Sequence, residues 1–367
     1  MVTGQVVISG RHANFLREGD KSFITATIVN KTNQPITGQI HLTLINPTNN
    51  NPVDGWFQNI FPSQYYSVEA GTDSRIQFPI QAPFGYIQTL RYQLEATVLE
   101  NKKEVIAHSK YTDSFYVYTN RVLLTDSLVV KTNKDTIIKG VFSALLLAPE
   151  SSTHNNLHIS FTATTPLDYW RLQMGNKQFT IAGRAQFDTL LQSDYISNEL
   201  GTYSLQTSSS VAAHMQQTKI IWSHYNKVEK PIKSHGSFGV QKTIQQKING
   251  RWVVLPENAT LHIGDTLDIM VAIGTPKPFT KIWITENTTG GATIILPKNL
   301  IVTTYASRFT KEIVNNRLTH QQIHYQYMLT SAGVFSTGNT FVNIETKAPK
   351  QSSIKLFIPA TEFRIEE

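Results

Sequence analysis

Catalysis or metal binding needs nucleophiles, converging acids or ligand sets, and the 367-residue sequence holds few of these. Cysteine is absent, so this chain by itself forms no disulfide, thiolate nucleophile, thiolate zinc site or iron–sulfur cluster. Two histidine pairs are spaced by four residues, His154/His158 and His320/His324. On a strand, such positions share a face but lie about 13 Å apart, too far to grip one ion. Both pairs therefore read as ordinary surface or turn histidines. The 26 carboxylates are scattered, and none is singled out for the converging pair that a glycosidase requires. Phosphate-loop, dinucleotide, zincin and nucleophile-elbow motifs do not occur. We assign no catalytic residue, cofactor or metal ligand, and expect a protein that is not an enzyme.

Two sets of residues suggest binding. Trp56, Tyr65, Tyr66, Tyr169, Trp170, Trp222, Trp252 and Trp283 would suit a sugar platform if exposed together, although Trp and Tyr on sheet strands more often fill cores. Between positions 219 and 251, Lys219, Lys227, Lys230, Lys233, Lys242, Lys247 and Arg251 face only Glu229, a local net charge of +6 within a chain total of +7. Lysines of this kind guard a strand edge against unwanted pairing. Converging in space, they would form a docking surface for an acidic partner or an anionic envelope. The overall excess is small for the length and contains no arginine-rich run, so nucleic acid is not implied.

The elements that carry these residues are short β-branched and aromatic runs between polar turns. Phe23–Val29 alternates up to the turn Asn30–Pro35, and Gln39–Leu44 alternates up to Asn46–Pro52. Ser74–Ile80, Leu90–Leu99 and Ser114–Tyr118 complete a first block that reads as an antiparallel sandwich. Val122–Val130, Thr136–Leu147, Leu157–Thr164 and Gln217–Trp222 form a second block, interrupted by a short helix expected at Phe187–Leu200 and a flexible tract at Thr207–Ser210. A third block holds the hairpin Val240–Ile248/Arg251–Leu255 around Asn249-Gly250, then Leu267–Ile273, Lys281–Thr285, Ile323–Thr330 and Thr340–Glu345. One echo links the first and third blocks. Leu16-Arg17-Glu18-Gly19-Asp20 and Leu261-His262-Ile263-Gly264-Asp265 each precede a core strand, which suggests two copies of one domain type.

Three stretches, in order, resemble the carboxy-terminal half of the α2-macroglobulin family, most closely its bacterial members. They are Phe15–Asp20 with the strand to Asn30, then Thr119–Leu128 with Ser151–Phe161, and finally Gln241–Asp265 with Ile323–Phe335. The resemblance implies an all-β chain of tandem antiparallel sandwiches, macroglobulin-like and fibronectin III or immunoglobulin-like, flanking a CUB-like domain. The boundaries implied are 1–118, 119–239 and 240–367, with a linker at about 175–213 where the family inserts a helical thioester domain. That inserted domain carries a cysteine-dependent thioester that couples to a trapped protease. Here neither the length nor a cysteine is present for it, and no family functional residue transfers.

The resemblance further implies a non-catalytic interaction or scaffold module akin to part of an endopeptidase inhibitor, without covalent trapping. Its expected partners are proteins: other domains of a larger chain, an envelope assembly, or proteases. A cell-surface adhesin or glycan-binding sandwich is the alternative. No run approaches the roughly 18 apolar residues of a membrane span. Met1–Gln5 lacks the basic and apolar regions of a signal peptide, so an extracytoplasmic fragment whose export signal lies elsewhere is expected.

Overall fold

The computed structural model describes residues 6–100, 104–146, 153–193, 197–211, 215–226, 233–235, 238–256, 259–274, 279–305, 307–314, 320–346 and 354–367. Two compact units emerge, one combining Met1–Asn120 with Glu229–Glu367 and the other spanning Arg121–Val228. Nearly every element is a strand, with a four-residue helix at Ser143–Leu146 and a 3-10 turn at Asn198–Gly201 as the described exceptions. The all-β expectation therefore holds.

In the larger unit, the amino-terminal sandwich is built from strict alternation. Lys21–Asn30 and Ile36–Ile45 bury every second residue, among them Ile24, Ala26, Ile28, Ile40, Leu42 and Leu44. One sheet runs Leu16–Arg17, Glu104–Tyr118, Thr89–Glu100, Ile36–Ile45, Ser63–Val68. The carboxy-terminal sandwich repeats the design with Phe238–Ile248, Thr266–Gly274 and His320–Leu329 opposite Arg308–Val314, Phe279–Asn287, Thr340–Thr346 and Ile354–Ile358. The amino-terminal and carboxy-terminal sandwiches thus lie in one unit, and a common sheet joins them. Along one edge of Lys21–Asn30, Val6–Arg11 pairs with the outer half, while Gly333 and Val334 of the strand Gly333–Ser336 pair with Ser22 and Lys21. Glu362–Glu366 and Leu261–His262 extend that sheet.

Among the described residues, the smaller unit is an eight-stranded sandwich of two antiparallel four-stranded sheets. Arg184–Ser193, Thr153–Leu167, Gln216–Asn226 and Val122–Thr132 form one sheet. Thr136–Val141, Thr202–Ser208, Tyr169–Met174 and Lys177–Ile181 form the other. Leu157, Ile159, Phe161, Trp170, Leu172, Met174, Ile220 and Trp222 fill the space between them.

Two sequence expectations fail here. The helix expected at Phe187–Leu200 is, over its first half, the edge strand Arg184–Ser193, whose Phe187 and Leu191 sit opposite Phe161 and Leu157, and Asn198–Gly201 is only a 3-10 turn. Phe187, Leu190 and Leu191 mimic helical spacing, yet Leu190 points outward and is half exposed. Thr207 and Ser208 are likewise not a flexible tract, since they end the strand Thr202–Ser208 and pair with Trp170 and Tyr169. The 175–213 segment accordingly supplies three strands of this sandwich rather than a linker.

Candidate functional site

The echoed Gly-Asp turns prove to be two copies of one structural device. Leu16–Arg17 pairs in parallel with Val117–Tyr118, and Leu261–His262 pairs in parallel with Ile365–Glu366. Both glycines take left-handed backbone, with φ of +89° at Gly19 and +96° at Gly264. Asp20 Oδ2 accepts from Arg17 N at 2.8 Å, and Asp265 Oδ2 accepts from His262 N at 2.9 Å. The bonds to neighbouring strands correspond one for one. Gly19 N donates to Ala82 O and Ala82 N to Asp20 O, just as Gly264 N donates to Leu329 O and Leu329 N to Asp265 O, all at 2.9 Å.

The side chains of the two copies diverge. In the second, Ile263 is exposed and Asp265 meets Gln246 Nε2 at 3.2 Å. In the first, the side chains are buried and reach out of their own sandwich. Arg17, 2% exposed, donates through Nε to Thr288 O (2.7 Å), through Nη2 to Ser307 O (2.7 Å) and through Nη1 to Thr119 O (2.8 Å). Two of these carbonyls belong to the carboxy-terminal sandwich. Glu18 accepts from Gly85 N and Asn120 N and from the Thr119 hydroxyl. Asp20 Oδ1 accepts from Ser336 N at 2.8 Å, again across the seam. Burial draws the Arg17 guanidinium down to about 10, against the pull of Asp20, so it stays charged at neutral pH. Burial also pushes Asp20 up to about 7, opposed by the amides of Arg17 and Ser336.

A second buried polar centre ties the two layers of the carboxy-terminal sandwich. Glu286, fully buried, is ion-paired with Lys242 and accepts from the hydroxyls of Tyr325 (2.6 Å) and Thr340. Burial and the Glu286 carboxylate raise Tyr325 well above the usual phenol range, so it serves as a fixed donor. These polar groups occupy one another with bonds that hold the fold.

The described basic residues singled out in the sequence lie on different elements. Lys227 and Lys230 lie outside the described residues. Lys219 belongs to the smaller unit, on Gln216–Asn226, opposite Ser160 and Val129. Lys242 is turned inward to Glu286, with its side chain 6% exposed. Lys233 is exposed, and its carbonyl accepts from Val240 N. Lys247 and Arg251 are exposed and share the hairpin Phe238–Ile248/Arg251–Val254. Of the aromatics, Trp170 and Trp222 are core residues bonded to Thr218 and Asn155, and Tyr66 is buried, whereas Trp56 and Tyr65 are exposed. Both histidine pairs lie on strands, where His158 meets Asp188 at 2.7 Å and His324 lies 3.8 Å from Asp268. Among the described residues, no cluster of three or more His, Cys, Asp or Glu converges to hold a metal ion.

The signal that sequence reading left unused was in the echo itself. Charged Arg17 and Glu18 stand where the second copy has His262 and Ile263, within a stretch otherwise committed to packing.

No protein-family model matches the sequence, and no curated protein matches it. Solved structures do. A crystal structure of native α2-macroglobulin from Escherichia coli, spanning domain MG7 to the C-terminus, superposes with a TM-score of 0.69 at 8% identity, covering 99% of each chain. The fold is that of the carboxy-terminal region of bacterial α2-macroglobulin. The native E. coli α2-macroglobulin seen by cryo-electron microscopy gives a TM-score of 0.67 at 8% identity, covering 99% of this chain and 40% of that one. A mutant Salmonella α2-macroglobulin gives 0.66 at 8% identity, covering 100% and 41%. The present chain thus spans about two fifths of those longer proteins. Within this α2-macroglobulin-like fold, the duplicated Gly-Asp turns mark equivalent positions in the two sandwiches, and the first copy has become the clasp between them.

Proposed function

We propose that the chain is a non-catalytic scaffold module, akin to part of an α2-macroglobulin-type endopeptidase inhibitor, that positions protein partners outside the cytoplasm without covalent trapping. The observation that carries this reading is the match of the entire chain to the MG7-to-C-terminus region of a bacterial α2-macroglobulin. The absence of cysteine supports its second half, because an internal thioester needs a thiol and this chain has none. Any restraint on a protease must then be steric. The clasped sandwiches suit such a role, since a scaffold acts by holding surfaces at fixed separation. No helix among the described residues is long and apolar enough to cross a membrane.

Incubation with trypsin or elastase, followed by denaturing electrophoresis, should give no band of protease joined to this chain. Assays with a large protein substrate and with a small peptide then distinguish hindrance from indifference. A covalent conjugate would overturn the reading, as would turnover of a substrate by the purified chain.

A further inference from the structure

The hairpin formed by Phe238–Ile248 and Arg251–Val254 lies at the edge of its sheet, and its tip runs past the neighbouring strand: Gln246 is the last residue paired with Thr266–Gly274, at Leu267, and Lys247 and Ile248 lie beyond it. Its turn is Asn249-Gly250, with φ of +49° and +79°, the left-handed pair of a tight hairpin. Pairing is regular: Gln245 with Val254, Gln246 with Val253, Lys247 with Trp252 and Ile248 with Arg251. Cross-strand partners share a face, which sorts the tip into two sides. Lys247, Trp252 and Val254 lie on one, and Ile248, Arg251 and Val253 on the other. The second side continues the core-facing row of Phe238 and Val240, which are buried, yet Ile248 is 42% exposed and Val253 44%. On the first side Trp252 is 38% exposed and Val254 60%, with the Lys247 ammonium 6.0 Å from the Trp252 ring centre.

Each side therefore carries one cation beside large exposed apolar groups. No acidic residue occurs from Phe238 to Pro256. A protein docking on a sheet meets a single face, and the natural device is one apolar face backed by a polar one. A ribbon that is apolar and cationic on both sides suits a medium that surrounds it. The headgroup layer of an anionic bilayer is such a medium: it takes Trp and aliphatic groups at the acyl boundary and neutralises Lys and Arg at the phosphates.

We propose that the tip of this hairpin, Lys247–Val254, is a lipid-facing element that enters the headgroup region of an anionic membrane. It gives reversible attachment and fixes which side of the module faces the bilayer, since two cations and four apolar side chains make a weak anchor. The proposal rests on the hairpin alone and is independent of the inhibitor reading.

The test is co-sedimentation of the full chain with vesicles of phosphatidylcholine, with and without 30 mole per cent phosphatidylglycerol. Binding is expected only with the anionic lipid and should weaken as salt rises. Lys247→Glu with Arg251→Glu should lower the vesicle affinity by at least tenfold. Ile248→Ser with Val254→Ser should lower it severalfold, whereas Lys177→Glu on the smaller unit should leave it unchanged. Thermal unfolding of each variant separates loss of binding from loss of fold. Failure to bind the anionic vesicles overturns the proposal, as does equal binding to both vesicle types. Capture by immobilised poly-glutamate that ignores the Ser substitutions would assign the tip to an acidic protein instead, and would equally overturn it.

Discussion

A buried arginine that donates to three carbonyls is costly to desolvate, and its position tells what it is for. Arg17 holds Thr288 and Ser307 of one sandwich while its backbone belongs to the other. Removing it would take the charged donor from buried Thr288 O and leave Ser307 O with Thr288 N alone, a costly loss in a dry interior. Asp20, three residues on, gives that seam a pH dependence. Its folded-state value of about 7 stands above the unfolded carboxylate value, so the folded chain holds a proton that the unfolded chain releases. The contribution of Asp20 is therefore fully present below about pH 4 and is lost as pH rises to 7, after which it levels off. Denaturant unfolding at pH 5 and pH 8 should show Asp20 favouring the lower pH by about 2–3 kcal/mol. Asp20→Asn should remove that difference, and an unchanged pH slope in the variant would exclude Asp20 as its source.

At the scale of the element, alternating burial was readable from the chain, and so was the Asn249-Gly250 turn, because both depend on nearest neighbours. Phe187–Leu200 was not, since an edge strand with Leu190 facing outward has the same local pattern as an amphipathic turn of helix. Only the pairing with Thr153–Leu167, distant in sequence, decides between them. Lys242 was misleading for the same reason, because its counter-ion Glu286 lies on another strand far along the chain. The seam also depends on close backbone approach that sequence does not announce. Asn14 N donates to Gly290 O at 3.2 Å, and a Cβ on Gly290 would lie 1.8 Å from Phe15 O. Gly290→Ala should therefore push the two sandwiches apart locally and cost about 2–4 kcal/mol, beyond ordinary overpacking. Gly71→Ala, where no atom lies within 4 Å of the added methyl, tests the positive-φ cost alone and should lose only about 1 kcal/mol. A loss at Gly290, which has no positive φ, of about 1 kcal/mol or less would show that the close approach adds little.

For the whole molecule, the shared sheet predicts how the chain comes apart. Two macroglobulin-like sandwiches joined by a linker would melt independently, giving three transitions with the smaller unit. Here Lys21–Asn30 pairs with strands from both ends of the chain, and Arg17 and Asp20 bridge the same seam. Calorimetry should therefore resolve two transitions, one for the larger unit and one for Arg121–Val228. Leu94→Ala in the amino-terminal sandwich and Leu356→Ala in the carboxy-terminal one remove fully buried side chains, each costing about 2–5 kcal/mol. Both should lower the same transition, by roughly 5–10 °C for a unit of this size. Leu157→Ala, in the core of Arg121–Val228, should lower only the other. If Leu94→Ala and Leu356→Ala moved different transitions, the clasp would be too weak to couple its sandwiches, and a scaffold resting on their fixed separation would lose its physical basis.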